Sequence, residues 1–382
     1  MKILLAFDSF KGCMTSLQAG EAARRGVLSA MPDAETEVLA VADGGEGMSA
    51  AVYANGIGEA VTADAVDPLL RPIRAEYTYD SKTQSAYIDF AAASGLTLLA
   101  DAEKSAVKST SFGTGMLIAD AMRRGARHIY LGLGGSATND AGLGALQALG
   151  AKFTDESGGE ITHAYCGADM ARTCGIDTSA LTAALRGMRV TLLCDVDNPF
   201  CGGRGAVAVF ARQKGASAYE MRLLEEGMNH IGEVMKKCGF TDVFQLSGTG
   251  AAGGTGGGFA ALAGGEIVPG AESVLRLCGF DGKLAGCGLV MTGEGKSDRQ
   301  TLAGKLPYTV MKAARRHGVP TALFCGAVED ADALKKAGFA AVTDINGSMK
   351  SGDFMSAEVA SQRLSAAVAD TLALGAVLRG RK

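Results

Sequence analysis

Seven times along this 382-residue chain, an apolar run breaks into a short loop rich in glycine, acids or small polar residues. The loops are "DSFKG", "DGGEG", "LGGSATND", "CDVDNP", "SGTGAAGG", "TGEGKSD" and "CGAVED". Amphipathic stretches separate many of them, so the chain reads as strand, tight turn and helix in alternation. That repeat defines an α/β protein. In a parallel α/β sheet the carboxyl ends of the strands share one edge, and ligands bind in the crevice outside that edge. Seven such loops can line one crevice only if the sheets that carry them face each other.

The elements follow from local pattern. "KILLAF" is a strand, followed by a helix from Ser16 to about Met31 with Leu17, Ala22 and Leu28 on one side and Glu21, Arg24 and Arg25 on another. "TEVLAVA" repeats the strand and "EGMSAAVYANG" the helix, closed by Gly56. "IRAEYTYD" and "SAYIDFA" alternate like hairpin strands around "SKTQ". The tail returns to simple alternation: "GLVMTG", a helix over 306–317, "TALFCGA", a helix over 330–337, "AAVTDIN" and a closing helix. A chain this long exceeds one core, so two domains are expected. We read a Rossmann-like domain with a parallel sheet built from both chain ends, residues 1–66 and 288–382. A mixed-sheet α/β domain, residues 67–287, is inserted between them, and the active site is expected in the cleft between the two.

Composition excludes several partners. The formal net charge is -4 with no basic run, so nothing favours nucleic acid or an anionic membrane surface. No stretch approaches the ~18 apolar residues of a membrane span, and "MKILLAFDSF" is too short an apolar run for a signal peptide. The nine cysteines show no C-x-x-C pattern and several lie inside apolar runs, which fits thiols in a reducing, cytoplasmic compartment. His128, His163, His230 and His317 are dispersed and do not suggest zinc.

The glycine motifs are individually ambiguous. "MTGEGKSDRQTLAGKLP" resembles a phosphate loop, but Val290 stands where G-x-x-x-x-G-K-[ST] needs its first glycine. "GTGAAGG" from Gly248 satisfies G-x-G-x-x-G, and "GLGGSA" from Gly132 satisfies the variant ending in alanine. Either would suit a nicotinamide-dependent oxidoreductase of a small hydroxy acid, given strand, turn, helix and a second strand followed by an acid. Asp155 lies near the right distance after Gly132, whereas no convincing strand follows Gly248.

The acids point elsewhere. Asp8, Asp43, Glu46, Asp140, Asp195, Asp197, Glu294 and Asp298 all fall at expected strand ends. Carboxylates beside glycine turns and lysines suit phosphoryl transfer, which needs N–H groups and cations for phosphate oxygens, acids for Mg2+ and a base for the attacking hydroxyl. A strand-end aspartate can equally cap the next helix.

"DSFKG", "VADGGEG", "AAASGL", "GGSATND", "GAKFTD", "CDVDNP", "QKGAS", "GTGAAGG" and "TGEGKSD" occur in the order and spacing of the bacterial type 1 glycerate kinases, and the chain resembles that family over essentially its whole length. The resemblance implies ATP and Mg2+ as cofactors and transfer of the γ-phosphoryl group to D-glycerate, at the 2-hydroxyl to give 2-phosphoglycerate. Transfer to the 3-hydroxyl is the alternative, and a non-catalytic metabolite-binding relative is a further one. Small molecules are the implied partners; the oligomeric state is left open, a homodimer included.

Carried onto this sequence, the resemblance implies Lys11 as a catalytic cation. Asp195, which closes the strand "VTLLCD" directly before the "DNP" turn, is expected to be the general base, with Asp8 as the rival; the family pattern alone does not decide between them. Ser9, Gly134, Gly135, Ser136, Asn139, Gly293, Gly295 and Lys296 are expected to serve nucleotide phosphates. Asp8, Asn198 and Lys214 are expected at the acceptor substrate, Lys214 for its carboxylate. Asp43, Glu46, Glu294 and Asp298 are the metal candidates. Three departures stand out: Phe7 replaces the family's usual proline, "GCMTSL" its usual "GSLSA", and Met116 its usual glutamate.

Overall fold

The computed structural model describes residues 1–299, 301–347 and 356–379. They form two compact units. The first comprises residues 1–43, 54–57 and the described residues from Ala271 onward; the second comprises residues 44–53 and 58–270.

The first unit carries a five-stranded, wholly parallel sheet in the order Ala341–Asp344, Thr321–Cys325, Cys287–Thr292, Lys2–Leu5, Glu35–Val38. Counted along the chain this is the doubly wound order 2-1-3-4-5, read from the opposite edge. Its switch point lies between Lys2–Leu5 and Cys287–Thr292, the place where such sheets bind ligands. Alternation along the strands divides the side chains. Ile3, Leu5, Met291 and Phe324 share a cluster with Ala19, Ala23 and Val27 of helix Ser16–Ala30 and with Leu364 and Val368 of helix Ala357–Arg379. Leu323 and Cys325 join Met311 and Leu334, from helices Leu306–Arg316 and Ala331–Ala337. Helix Ser16–Ala30 starts where it does because Thr15 and Gln18 form a reciprocal capping box, a device that contributes about 1 kcal/mol.

The second unit is built on a mixed six-stranded sheet: Glu266–Val268, Arg189–Leu193, His128–Gly132, Ser85–Asp89, Pro72–Asp80, Glu59–Val66. The first four are paired in parallel; Pro72–Asp80 runs against them, antiparallel to both of its neighbours, and Glu59–Val66 at the edge runs in their direction again. Asp80 shapes the expected hairpin turn by accepting from the Lys82 N–H and the Thr83 hydroxyl. Ile88, Ile129 and Leu131 pack in one core with Leu117 and Ile118 of helix Phe112–Arg123 and with Leu224, Met228 and Ile231 of helix Ala218–Lys237.

Two strands differ from the sequence reading. Glu59–Val66 falls before the division drawn at residue 67, yet it pairs along its whole length with Pro72–Asp80 and is part of the second sheet. Glu266–Val268 is a strand that periodicity did not reveal, because three residues at a sheet edge carry too little pattern. Among the described residues no helix is long and apolar enough to cross a membrane.

Candidate functional site

In the first unit the acids gather at the switch point. The Asp8 N–H donates to the Gly293 carbonyl (2.9 Å), which ties the loop after Lys2–Leu5 to the loop after Cys287–Thr292. Ser16 adds a second tie: its hydroxyl donates to the Phe7 carbonyl and accepts from the Val41 N–H, which brings in the chain before Asp43. Burial pushes the Asp8 carboxyl up to about 8, reinforced by the charges of Asp43 and Glu294 and opposed by the Ser9 N–H and by Lys11. Burial also raises Glu294, although the Ser297 and Thr301 hydroxyls both donate to its Oε1 at 2.7 Å. Asp298 adds to the negative field at Glu294, and Lys305 approaches Glu294 at 3.8 Å. Lys11 reaches Asp43 at 3.6 Å from a largely exposed position.

Residues with other engagements are found in the same unit. Lys296 pairs with Glu329 (2.8 Å). The Ser9 N–H is committed to Asp8 Oδ1 (2.7 Å). Gly293 is a packing position: a Cβ there would lie 1.9 Å from the Phe324 carbonyl oxygen and 2.9 Å from the Phe7 ring. Phe7, the departure from proline, fills this space fully buried beside Phe324. A Cβ added at Gly295 would have its nearest neighbour at 3.8 Å, so that side of the residue is open to approach, while its carbonyl accepts the Ala327 N–H at 3.0 Å. Gln300, within the quoted loop, lies outside the described residues.

In the second unit the turn after His128–Gly132 is the focus. Gly135 adopts a left-handed conformation (φ 70°), and a Cβ there would lie 3.2 Å from Glu46 Oε2. The loop bearing Glu46 is anchored by Asp89, which accepts the N–H groups of Gly47 and Ser49 at 2.8 and 3.0 Å. Lys214 reaches this turn from 78 residues away in the chain: its Nζ donates to Ser136 Oγ (2.7 Å) and to the Thr138 carbonyl (2.6 Å). Lys214 is only 2% exposed, and burial drives its amine down to about 7, against the field of Asp140. Asp140 is buried too, and its carboxylate accepts from the Ser111 N–H and hydroxyl and from Gly142 and Gly144. The Asn139 side chain is completely buried with no hydrogen-bond partner among the described residues.

Asp195 and Asn198 hold structure. Asp195 Oδ1 accepts the Gly270 N–H at 2.7 Å. Asn198 Nδ2 donates to the Arg204 carbonyl, and its own carbonyl accepts from the Gly250 N–H. Sequence reasoning passed over Ser111, Ser297 and Thr301, which orient buried carboxylates. Ser111 and Thr301 are lone hydroxyls without a spacing signal, and the pattern that contains Ser297 is the incomplete phosphate loop.

Neither glycine fingerprint has the setting a dinucleotide requires. "GTGAAGG" follows a single 3-10 turn, Val243–Gln245, and Ala252, Gly253 and Gly254 interrupt the succeeding helix with left-handed backbone. The strand after the Gly132 motif, Lys152–Asp155, pairs antiparallel with Thr173–Asp177 in a separate ribbon; the parallel neighbour of His128–Gly132 is the much later Arg189–Leu193, so the compact βαβ unit of a dinucleotide fingerprint, with its acid about twenty residues on, is not formed. Carboxylates clustered at strand ends, with a buried lysine on a glycine turn, are instead the equipment of a kinase.

The glycerate kinase family model matches residues 3–374. A glycerate kinase of Bacillus subtilis is 38% identical over 90% of either chain. A glycerate 2-kinase of Escherichia coli is 36% identical over 98% of this chain and 99% of its own. A crystal structure of a Salmonella typhimurium protein assigned as glycerate kinase 2 superposes with a TM-score of 0.85, covering 100% of this chain and 99% of its own at 34% identity. The chain belongs to the glycerate kinase family.

Proposed function

We propose that this kinase transfers the γ-phosphoryl group of ATP to the 2-hydroxyl of D-glycerate, giving 2-phosphoglycerate, in the cytoplasm. The observation that carries the reading is the convergence of Asp8, Asp43 and Glu294 on the switch point of the parallel sheet. The choice of the 2-hydroxyl follows the Escherichia coli relative, whose similarity runs over nearly the whole chain. The nine cysteines are all thiols, in keeping with a reducing compartment.

Mg2+ fits the first unit's acids on electrostatic grounds, since buried carboxylates raise one another's energy and a divalent cation removes that cost. Among the described residues no group of three or more His, Cys, Asp or Glu forms a ready metal cage, and Mg2+ does not require one, because it keeps waters and takes phosphate oxygens. Asp43, Glu294 and Asp298 are the proposed ligands in this unit, with Glu46 the candidate beside the Gly135 turn. When bound, the ion would neutralise charge on the transferring phosphate.

We assign the base to Asp8 in preference to Asp195. Asp8 is buried and carries the raised affinity for a proton that a base poised near neutrality needs. Asp195 is exposed, with one oxygen committed to Gly270. Lys11, exposed beside Asp43, is the cation for the phosphoryl oxygens, and the absence of a side chain at Gly295 leaves room for phosphate to approach.

The test is ADP release that depends on D-glycerate, with the product identified by NMR. Phosphate on C2 is expected. Phosphate on C3 would overturn the regiochemistry, and absence of D-glycerate-dependent ADP release would overturn the function.

A further inference from the structure

Lys214 is a buried amine with no ion-pair partner among the described residues. Among the described residues its amine meets only neutral oxygens, those of Ser136 and Thr138. A buried, unpaired charge is costly and is retained where something repays it. The backbone is shaped to deliver this side chain: a π-turn over Val207–Ala211 passes into a 3-10 turn over Arg212–Lys214, closed by left-handed Gly215. Such local changes of helix register recur at functional sites.

Donor counting gives the consequence. An ammonium has three protons to donate and nothing that accepts. Ser136 Oγ must therefore accept from Lys214, and its own proton must go elsewhere. Lys214 is its hydrogen-bond partner among the described residues, so that proton is uncommitted, as is the third proton of the ammonium. Two free donors and a positive charge lie side by side on a glycine turn.

We propose that Lys214 is a positioning residue which, by donating to Ser136, fixes the serine hydroxyl as a donor to one anionic oxygen of the reactants. That oxygen belongs to a phosphate of the phosphoryl donor or to the carboxylate of the acceptor acid. The inference rests on the proposed kinase reaction only for the identity of these two sources. The charged group whose field reaches the amine is Asp140, on the same loop as Ser136. On neighbouring segments Arg212 is exposed, Lys104 pairs with Asp101, and Glu220 caps its own helix at Ser217.

Equilibrium binding of ATP and of D-glycerate, each without the other, tests this on the full chain. Ser136→Ala and Lys214→Met are expected to weaken the same probe, each by about tenfold or more, with the double variant no weaker than the worse single one. The other probe should bind as before. Additive losses, losses on different probes, or no loss on either would overturn the proposal. Should Lys214→Met fail to fold, the pH profile of Ser136→Ala decides. Below about pH 7 the ammonium can only donate, whereas at higher pH the neutral amine can take the Ser136 proton for itself. The Ser136→Ala penalty should then be full near pH 6 and vanish by about pH 9, in line with the usual behaviour of a titrating donor. A penalty constant across that range would overturn the proposal. Because these measurements need no turnover, they remain readable if no phosphoryl transfer to D-glycerate is found.

Discussion

Asp195 Oδ1 accepts the Gly270 N–H at 2.7 Å, so a strand-end acid is spent on the first residue of helix Gly270–Leu277. That N–H has no partner within its own helix, and a side-chain oxygen there acts as a cap. Asp195→Ala is expected to lower unfolding free energy by about 1 kcal/mol in urea titrations. Turnover should stay within a few-fold of the parent. A fall in kcat of about 100-fold at unchanged stability would return the base role to Asp195.

Asp8→Asn should behave in the opposite way. Loss of a general base depresses kcat by about 10²- to 10⁴-fold, and nucleotide binding should survive. In metal-free protein the same substitution should raise Tm. The unfolded Asp8 ionises near its model value of 3.8 and the folded one near 8, so between those values folding takes up a proton. Stability contributed by this group therefore falls as pH rises through that window. The gain in Tm from Asp8→Asn should be larger at about pH 8 than at pH 4, because the penalty accumulates with each unit of pH. Equal gains at both values would contradict the assignment of a raised proton affinity.

Gly293 and Gly295 lie two residues apart and should answer differently to alanine. At Gly293 the added carbon meets the Phe324 carbonyl at 1.9 Å, and overpacking of this kind costs about 1–3 kcal/mol or more. At Gly295 the nearest atom is 3.8 Å away, so thermal stability should be unchanged. Any effect of Gly295→Ala should fall on the KM for ATP, where an added methyl group blocks a phosphate. If Gly295→Ala lowers Tm as much as Gly293→Ala, the loop is packed rather than open.

The helices Ser16–Ala30 and Leu306–Arg316 and the Pro72–Asp80 hairpin were legible because their periods repeat over enough residues to be seen. The site was legible as residue types at strand ends, and less so as roles. Lysine is mostly a surface residue, so nothing in "RQKGAS" announces that Lys214 is buried against Ser136, 78 positions away. Asp8 and Asp195 read alike in sequence. Glu294 and Gly270, remote in the chain, give one a charged buried setting and the other a capping role.

Lys2–Leu5 is flanked by Glu35–Val38 on one side and Cys287–Thr292 on the other. During synthesis its second neighbour emerges only after the whole six-stranded sheet between residues 59 and 268 has left the ribosome. The nascent chain can therefore complete its middle before its ends. Until Cys287–Thr292 arrives, an apolar strand carries an unpaired edge, the kind of surface that recruits other chains. Translation that stops short of residue 287 leaves that edge permanently exposed, so the burden of avoiding aggregation falls on the last quarter of the message.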